Sequence, residues 1–163
     1  MKFLIFDVDR SLSSIGGEAA ATKLSGFPPI QVTGGTKEFG QFMGQLFTRT
    51  ETQVKHPLFD ITGSSTVAYN LTPKATELGV QAIVLDTFSV LMEQDMFLLM
   101  AKGKTGRMDK QLYGELGENG SKLMHYVSKL PLTVVFLCHE GEPKETANEK
   151  IAIYAGIKGA TKT

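Results

Sequence analysis

Tryptophan is absent from this sequence, and cysteine occurs once, at Cys138. A single thiol forms no intramolecular disulfide and cannot build a cysteine-rich metal site. A reducing compartment, the cytoplasm, is therefore the expected location. An excess of charge is lacking too. Lys+Arg and Asp+Glu are both 17, for a formal net charge of +0. A polyanionic partner would have to be met by a local basic patch. No apolar run approaches the roughly 18 residues of a membrane span. The first residues, Met1-Lys2-Phe3-Leu4-Ile5-Phe6-Asp7, reach an acid too soon for a signal peptide. Internal repeats and low-complexity tracts are missing. His56, His125 and His139 have no metal-ligand spacing, and Ser11, Ser13 and Ser14 sit in no nucleophile elbow.

What is present suits one domain. The chain has 163 residues and is 42% hydrophobic, enough for a real core over residues 1–163. Phe3 to Phe6 and Ala82 to Leu85 are short continuous apolar runs, and Leu132 to Cys138 is a third, rich in β-branched residues. Each reads as a buried strand. Ile30-Gln31-Val32 reads as a brief strand and Ile151 to Tyr154 as a last one. Phe39, Phe42, Met43, Leu46 and Phe47 have the spacing of an amphipathic helix over 36–50, with Thr36 as N-cap. Gly16-Gly17 interrupts any helix in 11–26. Residues 51–72 are polar and unpatterned. Pro73 to Leu78 reads as a short helix closed by Gly79. Val90 to Met100 and the stretch from Leu112 to Leu130 read as helices, the second ended by Pro131. Apolar strands separated by helices imply an α/β fold, a mostly parallel sheet with helices on both faces.

In such sheets ligands bind beyond the carboxyl ends of the strands. Three strands here end in polar residues: Asp7 and Asp9, then Asp86-Thr87, then His139-Glu140. If the strands are neighbours, these groups converge on one crevice. An apolar strand tipped by an acid is what a Mg-nucleotide site requires, because the rigid strand holds the carboxylate against the metal or its water shell. The plainer role for Asp86 is to cap the helix near Phe88.

The partner of such an acid is a loop of type G-x-x-x-x-G-K-[ST], whose amides and lysine cradle phosphates. Gly103-Lys104-Thr105 holds the triplet, but position 98 is Leu and a helix precedes it. The run from Gly156 to Thr163 has one mismatch, Thr161, and no helix after it to face a phosphate. Neither is a usable phosphate loop. Between these features lies a basic stretch with Lys102, Lys104, Arg107 and Lys110 against Asp109 alone. It suits a nucleic-acid backbone, or simply solvent.

Two resemblances attach to these residues. Phe6-Asp7-Val8-Asp9-Arg10-Ser11 resembles the first motif of haloacid dehalogenase-like phosphatases, with Arg10 and Ser11 in place of Gly-Thr. That likeness implies Asp7 as nucleophile and Asp9 as general acid/base. The late acidic motif of that family would fall at Leu137-Cys138-His139-Glu140, where no Asp stands. The broader resemblance runs through Ile83-Val84-Leu85-Asp86-Thr87, Tyr113-Gly114-Glu115-Leu116 and Leu130-Pro131-Leu132-Thr133-Val134-Val135-Phe136-Leu137-Cys138-His139-Glu140. These resemble phage-encoded RecA-like ATPases of the AAA-domain group, which includes single-strand annealing proteins. Phe3-Leu4-Ile5-Phe6-Asp7-Val8-Asp9 looks like the strand that follows the phosphate-loop helix there.

The resemblance implies ATP and Mg2+ as cofactors, with Asp86 on the metal as the Walker B acid and Thr87 beside it at the nucleotide. It implies Asp9 as the base that orients water, His139 as the sensor of the γ-phosphate, and residues 101–112 and 141–150 as loops for single-stranded DNA. A homo-oligomer is the expected assembly. Because the Walker A loop is not in these 163 residues, the expectation is a partial RecA-like P-loop NTPase core. It would be a fragment, one part of a split protein or a degenerate ATPase, with autonomous hydrolysis in doubt. A non-catalytic DNA- or protein-binding module is the remaining alternative.

Overall fold

A computed structural model describes residues 1–53, 58, 65–103 and 105–139, together with the backbone of 144–145 and 151–152. Its centre is a four-stranded sheet in the order β2-β1-β5-β6, built from β1 (Lys2–Asp7), β2 (Ile30–Gln31), β5 (Val80–Asp86) and β6 (Thr133–Phe136). All three pairings are parallel. The architecture is α/β, a parallel sheet flanked by helices, as the alternation of apolar runs and helical stretches predicts. It is consistent with a P-loop NTPase-like core.

Side chains alternate across a strand, and the burial follows that period. Leu4 and Phe6 from β1 and Val8 just after it, with Ile83 and Leu85 from β5, enter one hydrophobic cluster. There they meet α3 (Gly35–Leu46), α5 (Phe88–Lys102) and α6 (Lys110–Val127) through Phe39, Met43, Leu91, Met92 and Leu116. The Phe6 ring lies edge-on to Phe39, 5.0 Å between centroids, and tilted to Phe42 at 5.7 Å. Asp7 and Asp86 follow Phe6 and Leu85, so the same alternation turns both away from that cluster.

Several local expectations change. The 11–26 region forms two helices, α1 (Ser11–Ser14) and α2 (Glu18–Ser25), parted at the glycine pair. The amphipathic helix stops at Leu46, not Thr50, because Phe47–Gln53 is β3. It pairs in antiparallel register with β4 (Ser65–Leu71). Residues 51–72 are thus partly a hairpin ladder, in which backbone pairing supplies the order that the polar side chains hide. Thr36 is inside the helix rather than its cap. Gly34 is the N-cap, and the Glu38 carboxylate accepts hydrogen bonds from the Thr33 and Gly34 amides, both at 2.7 Å.

The third strand is shorter and less buried than the expected Leu132 to Cys138 run, because β6 lies at the sheet edge, and α6 stops at Val127, short of Pro131. α4 (Pro73–Leu78) is capped by Thr72 and closed by Gly79 at φ 75°. Positive φ costs glycine least, which explains the residue there. β7 (Lys144–Glu145) and β8 (Ile151–Ala152) pair with each other, in a sheet separate from the main one. Lys104, His56, Glu140 and the Gly156–Thr163 run lie outside the described residues. No helix among the described residues is long and apolar enough to cross a membrane.

A three-helix polar tie holds α3, α5 and α6 over the sheet. Asp95, on α5, is buried. Its carboxylate accepts from the Thr36 amide at 2.8 Å, the Thr36 hydroxyl at 2.5 Å and the Asn119 amide at 3.2 Å. Gln94 beside it donates to the Val8 and Val32 carbonyls and accepts from the Gly35 amide. Gly35 has φ 66°, and a Cβ there would strike the Asp95 carboxylate, so only glycine lets α3 start this close.

Candidate functional site

Strand order places the site before any side chain is considered. β1 leads through α1 and α2 to β2 on one side. The chain then returns across β1 to reach β5 on its other side, and continues outward to β6. The order therefore reverses between β1 and β5. In parallel α/β sheets that reversal opens a crevice at the carboxyl ends of the two strands.

The acids stand at that reversal. Asp7 is in register with Gln31 of β2 on one side and with Asp86 of β5 on the other. The three polar residues form a row across three strands. Asp9 follows the strand at the exposed lip. One carboxylate oxygen from each of Asp7, Asp9 and Asp86 lies within 4.8 Å of the other two. The first two strand ends thus converge as the spacing of polar tips suggests. The third contributes less directly. His139 is exposed, and its amide donates to the Ser89 hydroxyl at 2.9 Å. Its imidazole favours the ionised form of Asp86 through charge alone.

The environments of the three acids differ. Asp7 is 0% exposed. Its Oδ2 accepts from the Gln31 side-chain amide at 2.8 Å, and its Oδ1 is buried without a hydrogen-bond partner. Asp9 accepts from the Ser11 amide at 2.8 Å. Asp86 accepts from the Ser11 hydroxyl at a long 3.5 Å. Partial burial raises the Asp86 carboxyl above the usual carboxylate range, and the charges of Asp9 and then Asp7 raise it further, against the lowering by Ser11 and His139. Arg10, between Asp9 and Ser11, has φ 60°. This left-handed turn is uncommon for a residue with a side chain, and it brings the Ser11 amide back onto Asp9.

Thr87 has a structural task. Its Oγ1 accepts from the Val90 amide at 3.3 Å and so caps α5. The capping role weighed for Asp86 belongs to Thr87, which leaves the Asp86 carboxylate turned to the crevice. Gln31 and Ser11, which hold the acids, were missed from the sequence. A polar residue inside the brief Ile30-Gln31-Val32 strand was the one signal for the first.

The basic residues are elsewhere. Lys102 ends α5, Lys110 begins α6 and Arg107 is in the connection, all three exposed. The fifteen residues of α5 place Lys102 about 22 Å along the helix from the end that abuts Asp86. Among the described residues, Lys102 at the far end of α5 is not brought to the carboxylates, and no basic side chain of the stretch pairs with them.

A family model described as AAA domain matches residues 1–162. The chain belongs to that AAA-domain family. No curated protein and no solved structure matches it. The AAA-domain assignment makes this a nucleotide-binding domain of the P-loop NTPase type, whose family cofactors are a nucleotide and usually Mg2+. The residues present fit such a cation: an all-oxygen set of three acids with one buried, unpartnered oxygen is a donor set for a hard divalent ion. They fit the phosphatase likeness poorly. A nucleophilic Asp7 would have to reach a phosphorus atom carrying three further oxygens, yet it is fully enclosed and gives one oxygen to Gln31.

Proposed function

We propose that the β1–β5 crevice binds the metal-bound phosphates of ATP, in a RecA-like protein of phage type that acts in DNA recombination or single-strand annealing. The observation that carries this reading is the meeting of Asp7, Asp9 and Asp86 at the topological reversal of an AAA-domain sheet. Asp86 holds Mg2+, directly or through its water shell. When bound, the ion neutralises charge on the phosphate oxygens. Asp9, at the open lip, orients the attacking water and accepts its proton. His139 reports on the terminal phosphate from the end of β6.

The 163 residues contain no complete G-x-x-x-x-G-K-[ST] loop motif. That loop supplies most triphosphate contacts, so this chain alone binds nucleotide weakly and turns it over slowly. Calorimetric titration with ATP is expected to show affinity that depends on Mg2+. Asp86→Asn should cut that affinity at least ten-fold, roughly the loss seen when even an outer partner of a bound metal is removed. Equal titrations in Mg2+ and EDTA, or an unaffected Asp86→Asn protein, would sink the reading.

Single-stranded DNA runs along the basic stretch in this proposal, and protomers assemble around shared nucleotide. The double variant Lys102→Ala/Arg107→Ala is expected to weaken oligonucleotide binding. It should also lower the slope of log affinity against log salt by about 1.4, the value for two lost contacts to a single strand. Fluorescence anisotropy across a salt series measures both. Binding that is absent, or indifferent to salt, removes DNA from the proposal and leaves a protein-binding module as the alternative.

A further inference from the structure

We propose that Asp7, Asp9 and Asp86 form a divalent-cation site that fills in the absence of nucleotide, with Asp7 as its buried ligand. The inference deepens the nucleotide reading, because it concerns the same crevice, but the cation does not wait for phosphates to carry it in.

The first support is the state of Asp7. A buried carboxylate is normally satisfied by several donors or by an opposite charge. Asp7 has one donor, the Gln31 amide on Oδ2, while Oδ1 has none. With Oδ2 committed, Oδ1 is the free ligand atom, on a side chain enclosed on all sides. The contrast with Asp95 is instructive. That buried carboxylate receives three hydrogen bonds and needs nothing further.

The second support is spacing. Three oxygens around one bound Mg2+ stand mutually about 3.0–3.6 Å apart, and around Ca2+ about 3.3–4.5 Å, from metal–oxygen distances of about 2.1 and 2.3–2.6 Å. The three carboxylates already offer oxygens within 4.8 Å of one another. Closing these oxygens onto a bare cation takes a movement of about 1–2 Å, within reach of carboxylate side-chain rotation.

The third support is the charge balance. Among the described residues no lysine or arginine forms an ion pair with any of the three acids. The favourable polar contacts around them come from Gln31, the Ser11 amide and hydroxyl, and His139 at a distance. Three like charges are thus held together by the register of β1 on β5 and the turn at Arg10, with no fixed cation among them. A mobile hard cation supplies the missing charge. The all-oxygen set selects Mg2+, Mn2+ or Ca2+ over zinc and copper, which favour nitrogen and sulfur.

Mn2+ provides the probe. The full 163-residue chain, free of nucleotide, is expected to remove the electron paramagnetic resonance signal of aqueous Mn2+ saturably, with Mg2+ competing. A hundred-fold excess of Mg2+ over its dissociation constant should raise Tm by about 5–10 °C. Asp7→Asn should weaken Mn2+ binding at least ten-fold, about the lower bound for losing a ligand's support. Its cation-free Tm should hold or rise, since one of three crowded charges is gone. A merely structural Asp7 would behave in the opposite way, with a lower cation-free Tm and unchanged Mn2+ binding. Asp86→Asn, at a partly exposed position, repeats the test should Asp7→Asn fail to fold.

Absence of saturable Mn2+ binding, affinity unchanged from the unsubstituted protein in both variants, or uptake only after ATP is added would each overturn the inference. Uptake only with ATP would leave the nucleotide reading standing. Mn2+ binding without any ATP binding would do the reverse, so the two failures are distinguishable.

Discussion

Asp95→Ala is expected to lower stability by about 3–5 kcal/mol, enough to unfold a large share of the molecules near 37 °C. The estimate follows from what the alanine leaves behind. The Thr36 amide, the Thr36 hydroxyl and the Asn119 amide all lose their acceptor in one place. A buried donor without a partner costs about 1–3 kcal/mol; these three are part-buried and so lie toward the lower end each, and the hydroxyl can recover part of its share by rotating. Typical domains have only about 5–15 kcal/mol in total. The loss also touches topology, because Asp95 ties the start of α3 to α5 and α6. Asp95→Asn should cost less, since it keeps an oxygen for the Thr36 amide. Urea unfolding of the three proteins measures the series. A loss under about 1 kcal/mol for alanine would show that the tie is not needed.

Phe6→Ala is expected to cost a similar amount, about 3–5 kcal/mol, through cavity formation. Phe6 is fully buried on β1 between Phe39 and Phe42 of α3, and the rings meet in the edge-on and tilted arrangements that aromatic pairs prefer. Its removal has a second consequence. Phe6 and Asp7 are consecutive, so the ring that anchors β1 to the helices also fixes the height at which Asp7 meets Gln31 and Asp86. Nucleotide and cation affinity should therefore fall in whatever fraction remains folded. Denaturant titration gives the stability term. Phe6→Leu, which fills more of the cavity, should recover most of it. A leucine variant as unstable as the alanine one would place the effect in ring geometry rather than in volume.

The two buried acids, Asp7 and Asp95, look alike in the sequence. Each sits within an apolar stretch, and no pattern says that one is saturated by donors while the other is left open. The difference comes from elements distant in the chain: α3 and α6 supply donors to Asp95, whereas β2 supplies only Gln31 to Asp7. Other readings failed for related reasons. The β3–β4 ladder escaped the sequence reading because β3 is exposed beyond Phe47, while the alternation of Val67, Tyr69 and Leu71 in β4 was a signal passed over in a polar setting. Thr36 looked like a cap because it precedes a periodic run. The cap moved to Gly34 once Glu38 could fold back onto the amides before it.

The elements that bury continuous apolar runs were legible. β1, β5 and the helices α5 and α6 came from runs and periods that leave the chain few other ways to hide them, whereas β6 was legible as a strand but lies half exposed at the sheet edge instead of buried. The acids at the strand ends were legible as the points where the apolar runs break, although the structure leaves Asp7 itself fully buried. So was the family likeness, which the match to an AAA-domain model over residues 1–162 supports at that level. The sequence by itself thus determined an α/β sheet and the identity of its acid tips. Only the tertiary structure decided that β1 lies against β5, in a register that sets Asp7 beside Asp86 at the reversal of strand order. Strand pairing is made by backbone groups that every residue shares, so no side-chain pattern encodes which apolar strand will be the neighbour.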